Sequence, residues 1–275
     1  MPLLRFQDIA DQFPFVDDVD VIEKAKTNQA LEHALELCRP RNWRGSGLKP
    51  EQILAMATDS AIPVAWLPST VILQRLVAAQ PSDRMFVLMS SQRDTLFQCR
   101  ELLAECSDEW IQNERTLITQ ALGAFDGGHH EAAMALAVAV GEPLALWASE
   151  PRVKVFMSKE EQSDWERLKR KERYSLARRE LATVGSLDQI HPLDVARKAL
   201  IAPIPRFFVP FYRGDESLPV TVSRHATVHQ PTVAHFSREN ALLALMLCVS
   251  ILRDQQEWSR EVRMDDAAWD QDHEM

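Results

Sequence analysis

An all-helical fold is what this sequence predicts, and three observations predict it. Ala, Leu, Glu and Arg, all strong helix formers, abound, whereas only 8 Gly and 2 Tyr occur in 275 residues. Apolar residues recur at helical spacing in one segment after another. Hydrophobic residues make up 46% and charged residues 26%, the balance of a globular protein long enough to bury a substantial core.

The elements follow in order. Val21, Ile22, Ala25, Ala30, Leu31, Ala34, Leu35 and Cys38 form an apolar stripe that predicts a helix over Val19 to Cys38, and "RPRNWRGSG" ends it. Pro50 opens a short helix, Glu51 to Thr58. "AIPVAWLP" is too short and too proline-bounded for more than an extended connector or one strand, and Pro68 and Ser69 open a helix over Thr70 to Ala79. "QPSD", Gln80 to Asp83, is the best boundary, dividing a helical accessory region, 1–80, from a helical bundle, 83–275.

Beyond it three longer helices are expected, Asp83 to Cys106, Glu109 to Phe125 and Glu131 to Ala148, the last two joined through "DGGHH" into a hairpin. "EAAMALAVAVGEPLALWA" is small and apolar nearly all round, so it reads as buried. Ser158 with Glu161 forms a capping box that starts a basic helix reaching about Thr183. A short helix, Pro192 to Ile201, leads into "APIPRFFVPFYRGDESLP", read as an extended packed loop. Ser237 N-caps the final helix, with Glu239 complementing its dipole. Ala241 to Leu252 runs without a charge, so only a central helix, or one shared with a partner subunit, could hide it.

Charge and composition narrow the function. "MPLLRFQDIADQF" meets Asp8 and Asp11 before an apolar stretch builds up, so no secretory signal is expected, and no apolar block reaches membrane-span length. Cys38, Cys99, Cys106 and Cys248 lack zinc or CxxC spacing, and Cys99 and Cys106 would share a helix face in the core. They read as reduced thiols of a cytoplasmic protein. A net charge of −9 argues against a general nucleic-acid binder. Between Arg167 and Arg179, however, seven basic residues stand against one acidic residue. Arg167, Lys169, Arg170, Lys171 and Arg173 could hold an RNA strand, or the stretch could be a solvated helix with pairs such as Glu166 with Arg170. Arg206 and Arg213, flanking "FFVPFY", could extend a phosphate-binding surface or pack against their loop.

The chemistry concentrates in "SRHATVH", Ser223 to His229, directly before the most apolar helix. A guanidinium binds nonbridging phosphate oxygens in pairs and stabilises added charge in a transition state. A near-neutral imidazole takes a proton from a ribose hydroxyl or gives one to the leaving oxygen. Spacing alone is weak support, since with 8 histidines chance supplies about 0.7 such arginine-x4-histidine pairs in a chain of this composition. His225, His229 and His235, with His129 and His130, can also be read as metal ligands, but no carboxylate is clearly placed in sequence to complete such a site.

In "SRHATVH...SRENALLAL" and in the glycine-turn hairpin "ALGAFDGGHHEAAMALAVAV", the chain resembles the HEPN superfamily of helical domains, many of them metal-independent ribonucleases of toxin-antitoxin, antiphage and RNA-processing systems. The resemblance runs from about Asp83 to Arg263, and Gln230 stands where the related motif variant usually has glycine. It implies that Arg224 binds the scissile phosphate, His229 acts as general base or acid, and His225 orients the substrate or the other groups. Further implications are a homodimer with a composite cleft, which the apolar final helix would suit, an antitoxin or other protein partner, and products bearing a 2′,3′-cyclic phosphate and a 5′-hydroxyl without metal or cofactor. The alternative is a noncatalytic dimeric binding or regulatory protein of the same type.

Overall fold

A computed structural model describes residues 39–156, 195–209, 211, 219, 221–229 and 231–273. The helix expected over Val19 to Cys38, the Ser158 capping box, the basic stretch from Arg167 to Arg179, Arg213 and Gln230 lie outside them. The described residues are all-helical, with no strand among them. The helices are α1 (Pro50–Ser60), α2 (Thr70–Ala78), α3 (Arg84–Ser90), α4 (Gln92–Glu105), α5 (Gln112–Asp126), α6 (His130–Phe156), α7 (Val195–Ile201), α8 (Ile204–Phe207), α9 (Arg224–Val228) and α10 (Arg238–His273).

Helix α10 is the axis of the packing. It lies against α6 above all, and also against α4, α5 and α7. Every residue from Ala241 to Leu252 is at most 1% exposed, so the chain hides its own apolar block and α10 is a central helix. Fully burying one Leu or Ile contributes about 1.5–3 kcal/mol, so this block is a large contributor to the core's cohesion. Ser237 caps the helix, its hydroxyl accepting from Asn240 N–H at 3.1 Å. Cys99, Cys106 and Cys248 are buried thiols; burial pushes the Cys99 thiol up to about 12 and raises Cys248 as well.

Residues 39–79 contribute to the same hydrophobic cluster as the rest, through Trp43, Ile53, Met56 and Leu73 among others. "AIPVAWLP" is a mostly buried connector without strand, and two of its carbonyls accept from distant side chains. Val64 O accepts from Trp43 Nε1 at 2.8 Å and Asn42 Nδ2 at 3.0 Å, and Ala65 O from Ser250 Oγ on α10 at 2.8 Å.

Three expectations need correction. The single helix expected from Asp83 to Cys106 is two, preceded by a 3₁₀ turn at Pro81–Asp83 and broken at Ser91, where φ −108° and ψ 15° leave the helical range. Ser91 Oγ accepts from Arg75 Nη1 at 3.0 Å, so a side chain of α2 holds the break. Helix α6 runs to Phe156, past the expected end at Ala148. The loop "APIPRFFVPFYRGDESLP" contains a helical turn, α8, whose Arg206 Nη2 donates to Asp59 O at 2.9 Å. That contact satisfies a terminal carbonyl of α1 and gives Arg206 a packing role.

Candidate functional site

"SRHATVH" folds as the five-residue helix α9 because Ser223, in extended conformation, caps it, its hydroxyl accepting from Ala226 N–H at 3.3 Å. Thr227 Oγ1 returns a bond to Ser223 O at 2.8 Å, and His229 N–H donates to His225 O at 3.0 Å. Pro231 then bars continuation, since it lacks a backbone donor. One helical turn therefore folds the motif back on itself. Arg224 Nη1 lies 3.0 Å from His229 Nε2. Arginine has only donors, so the imidazole accepts at Nε2 and holds that nitrogen unprotonated in this arrangement.

Arg224 is oriented from the other side by Glu142 of α6, whose Oε2 accepts from Arg224 Nε at 2.7 Å, both side chains being 13% exposed. Gly141 brings this carboxylate within reach, because a Cβ there would come within 3.1 Å of Cys248 Sγ and 3.4 Å of Phe207 Cζ. Helices α6 and α10 come close at residue 141, where a Cβ would press Cys248 Sγ to give way by a few tenths of an ångström. Pro143 follows at once and cannot donate to the carbonyl four residues before it.

Of the other sequence candidates, His225 is tied into the fold. Its Nδ1 lies on the Phe211 backbone, 3.0 Å from the N–H and in contact with the carbonyl, accepting from the first when bare and donating to the second when protonated. Its ring packs on that of His229 with centroids 5.0 Å apart, so it supports the imidazole beside it. His235 stands apart. At 1% exposure its Nε2 is 3.3 Å from both Ser223 N and Ser223 O, and Asn240 Nδ2 donates to its carbonyl at 2.9 Å. Burial pulls this imidazole below its ordinary value, partly offset by the Ser223 backbone.

His130 opens α6 and stacks on Phe125 with centroids 4.7 Å apart, away from the motif in sequence and in its contacts. Among the described residues no three His, Cys, Asp or Glu side chains converge as metal ligands. The basic candidates Arg167, Lys169, Arg170, Lys171 and Arg173 are outside the described residues. Around the motif Val209, Val228 and Val233 leave apolar surface exposed, Val233 to 86%.

Glu142 is the residue that motif reading missed. Its signal was a lone charge inside the apolar run "AAMALAVAVGEPLALWA": a carboxylate in a buried helix needs a cation opposite, and Arg224 is that cation. Together Glu142, Arg224 and His229 place a fixed guanidinium against an imidazole nitrogen, a pairing that can bind an anion and leave that nitrogen to accept a proton once the anion displaces it from Arg224. No family model, no curated protein and no solved structure matches this chain.

Proposed function

We propose that the chain is a metal-independent endoribonuclease of HEPN type. The observation that carries this reading is the 3.0 Å contact between Arg224 Nη1 and His229 Nε2, with Glu142 fixing the guanidinium from behind. In the proposed reaction Arg224 binds the nonbridging oxygens of an internal phosphodiester. As the phosphate oxygens take over the Nη1 hydrogen, His229 Nε2 is released from Arg224 and takes the 2′-hydroxyl proton, the 2′ oxygen bonds to phosphorus, and the bond from phosphorus to the 5′ oxygen breaks. The leaving oxygen takes a proton from water, so the products are a 2′,3′-cyclic phosphate and a 5′-hydroxyl. His225 steadies His229 through its ring contact and through Phe211.

The proposal extends to a cytoplasmic homodimer acting in toxin-antitoxin or antiphage defence, with RNA as substrate and an antitoxin as protein partner. Since α10 buries Ala241 to Leu252 within one chain, that block leaves nothing for a second subunit, and the exposed Val228 and Val233 beside His229 offer the apolar surface instead. The test is incubation of total RNA in EDTA with the purified chain and with its Arg224→Ala and His229→Ala variants. Each substitution is expected to lower the rate by about 10²–10⁴. A wild-type chain that leaves RNA intact while still binding it would favour the noncatalytic binding module.

A further inference from the structure

We propose that His235 is a positioning residue for the pair of Arg224 and His229, holding Arg224 in place through the backbone of Ser223. The inference rests on the reading of that pair as a phosphate-binding and proton-accepting site, and it gives a buried histidine outside the motif a task in that site.

Ser223 is fully buried and directly precedes Arg224. Its hydroxyl donates to Val209 O at 3.0 Å and accepts from Ala226 N–H, and its carbonyl accepts from Thr227 N–H at 3.0 Å and Thr227 Oγ1 at 2.8 Å. His235 Nε2 completes the set, 3.3 Å from both Ser223 N and Ser223 O. Bare, that nitrogen accepts from the N–H; protonated, it donates to the carbonyl. Either bond fixes a peptide plane flanking Ser223, and the plane of the Ser223 carbonyl also contains Arg224 N. His235 Nδ1 makes no hydrogen bond among the described residues, so Nε2 carries the ring's polar contact. His235 is itself anchored on the central helix. Asn240, in the first turn of α10, donates from Nδ2 to His235 O at 2.9 Å, and its N–H donates to Ser237 Oγ. At the far end of the Arg224 side chain Glu142 reaches in from α6, the helix that α10 lies against above all. Backbone and guanidinium of Arg224 are thus both referred to one packed frame, which is what places the guanidinium 3.0 Å from the His229 imidazole.

The test compares His235→Gln, whose side-chain amide reaches the place of Nε2, with His235→Asn, whose shorter amide reaches only that of Nδ1. In the isotope-labelled full chain, the nuclear magnetic resonance signal of Arg224 Nε–H reports the bond to Glu142, and its disappearance in Arg224→Lys assigns it. His235→Gln should leave this signal in place, and His235→Asn should shift or broaden it. At saturating RNA the Asn variant should cleave more slowly by on the order of 10²-fold, while the Gln variant stays within about threefold of the wild type. A merely structural role would lower the melting temperature of both variants while leaving the signal and the turnover of the folded protein unchanged, and that result would overturn the assignment. Equal displacement of the signal in both variants would overturn it too. Should His235→Asn fail to fold, Asn240→Ala decides: freeing His235 from α10 should move the same signal, and an unmoved signal would again overturn the assignment. A signal displaced in His235→Asn and kept in His235→Gln, in a chain that cleaves no RNA, would retain the positioning role and remove the nuclease reading. Cleavage by the wild type with the signal unmoved in His235→Asn would do the reverse.

Discussion

Replacing Gly141 with Ala probes the close approach that delivers Glu142 to Arg224. At an uncrowded helical position this substitution stabilises by about 1 kcal/mol, because glycine carries the larger entropy cost. Here the new Cβ would sit 3.1 Å from Cys248 Sγ, tighter than ordinary contact, and 3.4 Å from Phe207 Cζ. Overpacking of this kind costs about 1–3 kcal/mol, which outweighs the propensity gain and leaves a net loss of about 1 kcal/mol. Cys248→Ala alone removes a buried sulfur and its bond to Ala137 O at 3.1 Å, again about 1 kcal/mol. In the double variant the added methyl enters the space the sulfur left. The two changes should therefore be coupled by about 1–2 kcal/mol in favour of the double. Urea unfolding of the four proteins measures this cycle. If Gly141→Ala raises stability by its full helical propensity and the two effects simply add, the helices do not meet as described, and the placement of Glu142 loses its basis.

Three further expectations concern the surroundings of the site. His235 is neutral in the folded chain and held below its ordinary 6.5, so an unfolded chain binds a proton there as pH falls below about 6.5 while the folded chain refuses it. Stability should decline through that window and level off once pH passes below the folded value, and His235→Gln should flatten the profile in thermal melts from pH 7.5 to 5. Arg253, 6% exposed, reaches Glu105 at 3.2 Å, pairs with Glu257 and lies 5.1 Å from the Trp66 ring centroid. Both carboxylates are partly solvated, so Arg253→Met should cost about 2 kcal/mol rather than the 3–5 of a wholly buried pair, as read by chemical unfolding. Burial of Cys99 and Cys248 should make both slow to react with a thiol reagent in the native chain and fast in urea, which peptide mapping of the labelled protein would check.

The sequence conveyed the helices with long, regular apolar periods, and the uncharged run Ala241 to Leu252 marked a central helix because no surface position could tolerate it. Ser91 escaped notice because apolar periodicity continues on either side of it; only the bond from Arg75, sixteen residues earlier, marks the break. The pairing of Arg224 with His229 was legible as spacing, since one helical turn brings such residues together. Glu142 was not, because its partner lies 82 residues away and local pattern carries no distance information across that separation. His235 looked equivalent to its two neighbours in sequence, yet the turn from Thr232 to Phe236 directs it inward to Ser223, where it supports the capping residue of α9.

The most direct test of the central proposal uses an oligodeoxynucleotide containing a single ribonucleotide, incubated in EDTA with the wild type, Arg224→Ala and His229→Ala. The result expected is one cut by the wild type, directly after the ribonucleotide, leaving a 2′,3′-cyclic phosphate and a 5′-hydroxyl, with neither folded variant cutting at a comparable rate. Cleavage at deoxyribonucleotides, or cleavage after the ribonucleotide that persists undiminished in both variants, would contradict it.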